Sequence, residues 1–194
     1  MEKDCKECMF EPTCSKDEIA GCNPPEDKQT AFDKRYLRMA HIWAENSYAL
    51  RLQVGCLMVK NKMIISDGYN GMPSGFPNCC EYVIAPDGTT REFDTPSGCQ
   101  HYVMNHNGSC LVSKPEVLHA EANAITKIAK SGNNAEGATI YVTDAPCLNC
   151  AKLIIQAGIS RVVYDRSYRD TSGIDLLRQA GIKVEQIHVN GYAF

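Results

Sequence analysis

Residues 138–164 have the sequence ATIYVTDAPCLNCAKLIIQAGISRVVY, which predicts a strand, a helix and a second strand. The β-branched and aromatic residues at 138–143 are typical of a strand. We expect a helix at 147–157, ended by Gly158, because glycine readily adopts the left-handed conformation that follows many helices. The next strand is predicted at 159–164. Two strands joined through a helix favour a parallel arrangement, so this stretch indicates a layered α/β fold.

The flanking sequence extends the same pattern. Further elements are predicted as a helix capped by Thr30, strands at 54–59 and 63–66, helices at 119–130 and 174–180, and a last strand at 182–189. Residues 72–115 are rich in Gly, Pro, Asn and Cys, and a segment of this length needs support of its own within a domain. Residues 1–29 lack hydrophobic periodicity. We therefore expect a domain at 30–194 with an insert at about 72–115, preceded by a Cys-rich N-terminal extension at 1–29.

Composition narrows the class of protein. The net charge of −3 argues against a partner that is a long nucleic acid, because such proteins usually carry a basic stripe. The longest apolar stretches are far too short to span a membrane. The sequence starts without a basic segment followed by an apolar run, so we expect no secretory signal and a cytoplasmic location. In that setting an odd number of cysteines, eleven, favours metal binding over disulfides.

Two short motifs carry the candidate chemistry. His119-Ala120-Glu121 opens one predicted helix, and Pro146-Cys147-Leu148-Asn149-Cys150 opens the next. Cys147 and Cys150 are three residues apart, so both sulfurs lie on one helix face, where the helix start favours thiolates. With the imidazole of His119 they supply three protein ligands for Zn²⁺. The fourth position stays open for water, as is typical of a catalytic zinc site.

Glu121 is the candidate catalytic residue. Zinc lowers the pKa of its bound water towards neutrality, and a carboxylate beside that water can take its proton and deliver it to a ring nitrogen. Attack of hydroxide on an amidine-like carbon then expels ammonia. A closed structural zinc with a fourth protein ligand, or a Cys-x-x-Cys redox pair, is the alternative interpretation.

The pairing of His-x-Glu with Pro-Cys-x-x-Cys is the signature of zinc base deaminases. With it the chain resembles the cytidine and deoxycytidylate deaminase superfamily over about residues 30–190. The resemblance rests on these segments: Val54-Gly55-Cys56, Gly68-Tyr69-Asn70-Gly71-Met72-Pro73, His119-Ala120-Glu121-Ala122-Asn123-Ala124-Ile125, Tyr141-Val142-Thr143, Pro146-Cys147-Leu148-Asn149-Cys150-Ala151-Lys152 and Gln156-Ala157-Gly158-Ile159. The Gly-Tyr-Asn-Gly turn followed by a long insert points to the branch that acts on dCMP.

The resemblance implies a three-layer α/β/α fold around a five-stranded mixed sheet, and hydrolysis of dCMP to dUMP for thymidylate synthesis. It implies that Asn70 binds the sugar, that Ala120 lies against the base and that Tyr168 lies beside the ring. Arg51, just before the segment that begins at Val54, is a candidate phosphate ligand, and Val54 is a further candidate substrate contact. An exposed loop tyrosine and a surface arginine are the alternatives for Tyr168 and Arg51.

Many members of this branch are hexamers that dCTP activates and dTTP inhibits, with Mg²⁺ on the triphosphate. The resemblance places that second nucleotide site near Gly68, Tyr69 and Gly71. The alternative is a turn that only supports the active site.

Two more groups of cysteines suggest structural metal. One group, Cys5, Cys8, Cys14 and Cys22, could close a structural zinc site, with an iron–sulfur cluster less favoured and a disordered tail as the alternative. Several members of the branch carry a structural zinc in the insert, and here its ligands would be four of Cys79, Cys80, Cys99, His101, His106 and Cys110. One cysteine expected before Val54 has no counterpart, so buried unpaired cysteines are the alternative.

Other functions remain open at this point. The substrate could be cytidine, a 5-substituted dCMP or the adenosine of a tRNA. A non-catalytic module held together by zinc is a further alternative, although such a site needs no acid–base partner like Glu121.

Overall fold

The computed structural model describes residues 27–168 and 170–189. Internal contacts divide the chain into the units Met1–Ala31 and Phe32–Phe194. Cys5, Cys8, Cys14 and Cys22 lie outside the described residues. The zinc site predicted for the N-terminal extension therefore stays a prediction, as does the domain boundary at residue 30.

Four strands follow the first helix of the described chain, and from residue 96 onward helices and strands alternate. In order they are α1 (Lys28–Ala44), β1 (Gly55–Lys60), β2 (Met63–Tyr69), β3 (Glu81–Ile84), β4 (Thr90–Arg91), α2 (Pro96–Asn105), β5 (Cys110–Ser113), α3 (Ala120–Ala129), β6 (Thr139–Asp144), α4 (Leu148–Gln156), β7 (Arg161–Arg166), α5 (Ser172–Gln179) and β8 (Lys183–Gln186). None of these helices is long and apolar enough to cross a membrane.

The main sheet of the described residues has five strands in the order β2-β1-β6-β7-β8. β1 runs antiparallel to both β2 and β6, whereas β6, β7 and β8 are parallel. The predicted five-stranded mixed sheet is therefore confirmed. Its parallel half comes from the strand–helix–strand sequence at 138–164, as expected from the crossover that each helix makes.

Side chains of successive strand residues alternate between the two faces of this sheet. On one face, Leu57 and Tyr141 pack with Leu37 of α1. On the other, Met58 and Ile140 pack in a cluster that also holds residues of α3, α4 and α5. Because both faces are covered, the middle residues of the central strands are apolar, and the predicted three-layer arrangement is confirmed.

The insert has more regular structure than its composition predicted. Strands β4, β3 and β5 form a small antiparallel sheet in that order. Helix α2 packs beside it, and Cys79, Val83 and Cys99 are buried together in a core of their own. This core supplies the support that a segment of this length needs.

Several element ends differ from the sequence prediction; the last strand, for example, ends at Gln186 and not at residue 189. Helix α1 begins at Lys28, and the carboxylate of Asp27 accepts the backbone N–H groups of Gln29 and Thr30. The prediction that Thr30 caps this helix was therefore wrong, because an aspartate three residues earlier takes the capping position. Strand β2 continues to Tyr69, beyond the predicted end at residue 66.

Candidate active site

His119, Cys147 and Cys150 meet where two helices begin. His119 is the N-cap of α3 and Cys147 is the N-cap of α4, so each lies where the chain enters a helix. Strand β6 ends at Asp144, just before Cys147. The fold therefore presents the three side chains at the carboxyl end of a central strand, where open α/β sheets commonly bind ligands.

The geometry of the three donors fits a tetrahedral metal ion. The Nδ1 atom of His119 lies 3.5 Å from the sulfur of Cys147 and 3.5 Å from that of Cys150. All three donor atoms lie within 4.8 Å of one another, and no other group of this kind occurs in the part of the chain that the structure describes. Nitrogen and sulfur ligands of one tetrahedral zinc are about 3.6 Å apart, given the usual bond lengths. The residues present therefore could hold zinc without rearrangement.

The two cysteine donors differ in their electrostatics: the Cys147 thiol is stabilised as a thiolate, whereas the hydrogen bond with Cys147 and burial raise the pKa of the Cys150 thiol. Hydrogen bonds from Cys150 and His119 lower the pKa of the Cys147 thiol to about 3. The Cys147 side chain in turn raises the pKa of His119. A thiolate is the ligand form of cysteine, so Cys147 is already in the state that a metal requires.

Glu121 lies beside this group and is only 3% exposed. Burial raises the pKa of its carboxyl group above the ordinary value. Both Glu121 and His119 line a cavity of about 700 Å³ that is open to solvent. A buried carboxyl group with a raised pKa is suited to exchange protons with a bound molecule.

The turn at residues 68–71 supports the start of α3. Gly68 packs directly against the carbonyl oxygen of Ala120. Gly71 forms a two-bond antiparallel bridge with Leu118, which precedes His119. The carbonyl oxygen of Tyr69 accepts a hydrogen bond from Asn123. The three positions predicted for an effector site, Gly68, Tyr69 and Gly71, thus all contact the segment that carries His119 and Glu121.

The amide of Asn70 binds the protein's own backbone. Its Oδ1 atom accepts the N–H of Val54 at 2.8 Å, and its Nδ2 atom donates to the carbonyl of Leu52 at 2.9 Å. Asn70 therefore fixes the loop that leads into β1. Asn70 and Val54 line the cavity together with Ala120 and Tyr168, so the structure brings these predicted substrate contacts together.

Arg51 lines the same cavity, and its guanidinium donates to the hydroxyl of Ser113 at 3.1 Å. Ser113 and its neighbour Lys114 also line the cavity, and the sequence interpretation missed both. Ser113 ends the short strand β5 and Lys114 follows it, without a recognisable motif, so only their place at the cavity wall identifies them. Asp144, also missed, lines the cavity and forms an ion pair with Arg166 at 2.7 Å.

The six candidate metal ligands of the insert are not brought together. Cys79, Cys80 and Cys99 are buried, whereas Cys110 is exposed. The exposed ring of His106 stacks on Tyr102, with ring centres 3.9 Å apart. Among the described residues, no three of the six candidates gather as metal ligands would. Cys79, Cys80 and Cys99 match the alternative of buried cysteines, Cys110 does not, and the structural zinc of the insert stays a prediction.

The chain matches the family model for the zinc-binding region of cytidine and deoxycytidylate deaminases over residues 30–166. The chain belongs to this family. A deoxycytidylate deaminase of Enterobacteria phage T4 is 36% identical over 76% of this chain and 86% of the phage protein. The human deoxycytidylate deaminase is 32% identical over 80% of this chain and 71% of the human protein.

Solved structures agree with this membership. The dCMP deaminase of cyanophage S-TIM5, crystallised with dCMP and dUMP, is 35% identical with a TM-score of 0.64. The similarity covers 86% of this chain and 100% of the phage chain. Family membership accounts for the five-stranded sheet and gives the matched region a zinc-binding character.

Proposed function

We propose that this chain is a zinc-dependent hydrolase that converts dCMP to dUMP and ammonia. One observation carries the proposal. A His–Cys–Cys group with the spacing of a tetrahedral zinc site lies at the wall of a cavity that also contains the buried carboxyl group of Glu121. The similar phage enzyme was crystallised with dCMP and dUMP, the substrate and product of this reaction.

His119, Cys147 and Cys150 would hold the ion, which when bound supplies Lewis acidity that activates a water molecule. Three protein ligands leave a fourth position for that water. The chain's own contribution is to fix these donors at two helix starts, with the buried carboxyl group of Glu121 beside them.

Glu121 moves the protons. Its carboxylate takes a proton from the attacking water and delivers it to N3 of the pyrimidine. It then takes the remaining proton from the new C4 hydroxyl group and passes it to the amino group, which leaves as the C4–N bond breaks and the C4 carbonyl forms. Burial raises its pKa, so the carboxyl group readily holds the proton between these steps. One residue thus serves both directions of proton transfer, and the released molecule is ammonia.

The part of the cavity wall formed by Arg51, Ser113 and Lys114 is suited to the 5′-phosphate. Arg51 and Lys114 bring two cations to this wall, and Ser113 adds a hydroxyl. Arginine and lysine are the usual partners of a phosphate group. We propose that Arg51, Ser113 and Lys114 bind the phosphate, while Asn70, Val54, Ala120 and Tyr168 contact the sugar and base.

The finer expectations stay proposals. Hexamer formation, activation by dCTP, inhibition by dTTP with Mg²⁺ and the cytoplasmic location come from the resemblance or from composition alone. The contacts of residues 68–71 with α3 give the turn a supporting role, with or without an effector.

A substrate panel tests the proposed function. Ammonia release would be measured with cytidine, deoxycytidine, CMP, dCMP, dCTP and 5-methyl-dCMP, with zinc content determined on the same sample. We expect the highest kcat/KM with dCMP and close to one catalytic zinc per chain in the deaminase domain. Equal activity on nucleosides and monophosphates would reject dCMP as the specific substrate while leaving the deaminase chemistry intact.

A further inference from the structure

Glu81 is a buried acidic residue that the proposed chemistry does not use. It is the first residue of β3 and is only 1% exposed. In the small sheet of the insert it pairs directly with Ser113 of β5. A carboxyl group that is removed from water in this way is costly unless its oxygens are bound.

The bonds of Glu81 lead out of the insert. Its Oε1 atom accepts the backbone N–H groups of Leu50 at 3.0 Å and Arg51 at 3.3 Å. Its Oε2 atom is buried and has no hydrogen-bond partner among the described residues. Burial raises the pKa of this carboxyl group, against the effect of the two N–H groups. The insert therefore contains a carboxyl group that is costly to bury, and the hydrogen bonds that this group makes go to the backbone of residues 50 and 51.

These two backbone bonds lie beside the candidate phosphate ligand. Glu81 holds the main chain of Arg51, and Ser113, its cross-strand partner, accepts a hydrogen bond from the Arg51 guanidinium. Two paired residues of one small sheet thus bind the backbone and the guanidinium group of Arg51. An arginine side chain has many rotamers, and an exposed one loses considerable entropy when it binds a ligand unless it is already held.

We infer that Glu81 is a positioning residue, which fixes Arg51 at the cavity wall so that the enzyme discriminates a 5′-monophosphate from a nucleoside. The inference rests on the proposed role of Arg51 in phosphate binding. By this inference the small sheet of the insert contributes to substrate preference, although it lies outside the zinc site.

The test compares kcat/KM for dCMP with kcat/KM for deoxycytidine in variants of the full chain. Glu81→Leu removes the acceptor, and Glu81→Asp keeps the charge but withdraws it from the two N–H groups. Both should raise KM for dCMP and lower the dCMP preference about tenfold, the size of one lost hydrogen bond to a charged group. The rate constant kcat should change little. Glu81→Gln keeps an oxygen at the same place and should retain most of the preference.

Val83→Ala is the matched control. Val83 is buried two residues along the same strand, in the core with Cys79 and Cys99. The substitution loosens the insert without removing a bond to residues 50 and 51. It should lower the thermal unfolding temperature and leave the dCMP preference as it is. If Val83→Ala reduced the preference as much as Glu81→Leu, general loosening would explain the effect and the inference would be wrong.

Arg51→Ala separates this inference from the proposed function. If the preference falls in Arg51→Ala but is unchanged in Glu81→Leu and Glu81→Asp, only the role of Glu81 is rejected. If Arg51→Ala leaves the preference intact, the phosphate role of Arg51 and the inference built on it both fail. If Glu81→Gln loses the preference while Glu81→Asp keeps it, charge rather than backbone positioning is the cause, and the inference is also overturned.

Discussion

Gly68 lies so close to the carbonyl oxygen of Ala120 that a Cβ atom at residue 68 would overlap it. Strand β2 and helix α3 therefore approach each other at a point where no side chain fits. Ala120 lies between His119 and Glu121 in the chain. This contact therefore helps to fix the backbone from which both side chains extend into the cavity.

Replacing Gly68 with alanine should push α3 away from β2. We expect a lower unfolding temperature, loss of bound zinc and a large fall in activity, because the displaced atom is backbone and cannot rotate aside. Gly132→Ala is a suitable control, since a Cβ atom at that exposed glycine would meet open space. Equal stability and zinc content in wild type and Gly68→Ala would contradict the packing described.

Replacing Glu121 with glutamine should separate metal binding from catalysis. Glutamine keeps the size of the side chain but cannot carry the proton, so kcat should fall by about 10²-fold to 10⁴-fold, the usual contribution of an acid–base group. Zinc content and the dissociation constant for dCMP should change little. A variant with an unimpaired rate would remove Glu121 from the mechanism.

Removal of zinc by a chelator should abolish activity and lower the unfolding temperature. The three donors come from the starts of α3 and α4, so a bound ion joins two elements that the sequence places far apart. Adding Zn²⁺ back should restore both properties in the wild type but not in Cys150→Ala. Full activity after complete removal of metal would contradict the assignment of His119, Cys147 and Cys150.

Arg161 should be important for stability although it lies away from the cavity. It forms an ion pair of 2.7 Å with Asp33, whose side chain is 2% exposed, and a further bond to Glu185. Arg161→Met breaks an ion pair with a buried carboxylate, which should lower the free energy of unfolding by about 3–5 kcal/mol.

Lys183→Met is the control for Arg161. Lys183 pairs with Glu185 on the surface, and exposed pairs contribute about 0–1 kcal/mol. Urea unfolding followed by circular dichroism would measure both variants. Losses of similar size would mean that burial does not distinguish the two ion pairs.

The cysteines of the insert should differ in their reaction with iodoacetamide. Burial raises the pKa of the Cys80 thiol to about 11 and that of the Cys99 thiol to about 12. Both pKa values lie above pH 8, so both thiols stay protonated and unreactive there, whereas the exposed Cys110 should be labelled quickly. Labelling should remain slow up to about pH 10, because only the thiolate reacts. Peptide mass spectrometry would locate the label, and rapid labelling of Cys99 at pH 8 would contradict its burial.

The parallel half of the fold could be predicted from local sequence because periodicity and turn residues agree there. Gly158 ends α4 with a positive φ of 74°, as the pattern at 138–164 implies. The insert could not be predicted in this way. Its strands are two to four residues long, and its core depends on the packing of Cys79 and Val83 against Cys99, which lies further along the chain in α2.

The spacing of His119, Glu121, Cys147 and Cys150 determined the candidate chemistry from sequence alone, because residues three apart at a helix start share one face whatever surrounds them. Tertiary structure decided which side chains complete the cavity. Arg51 was a candidate from its position before Val54, but Ser113 and Glu81 carry no local signal. The three residues meet because the antiparallel register of the insert sets residue 81 opposite residue 113. Helix periodicity relates residues three or four positions apart, so it can be read from local sequence. Strand register pairs residues from separate segments of the chain, which a local pattern does not reveal.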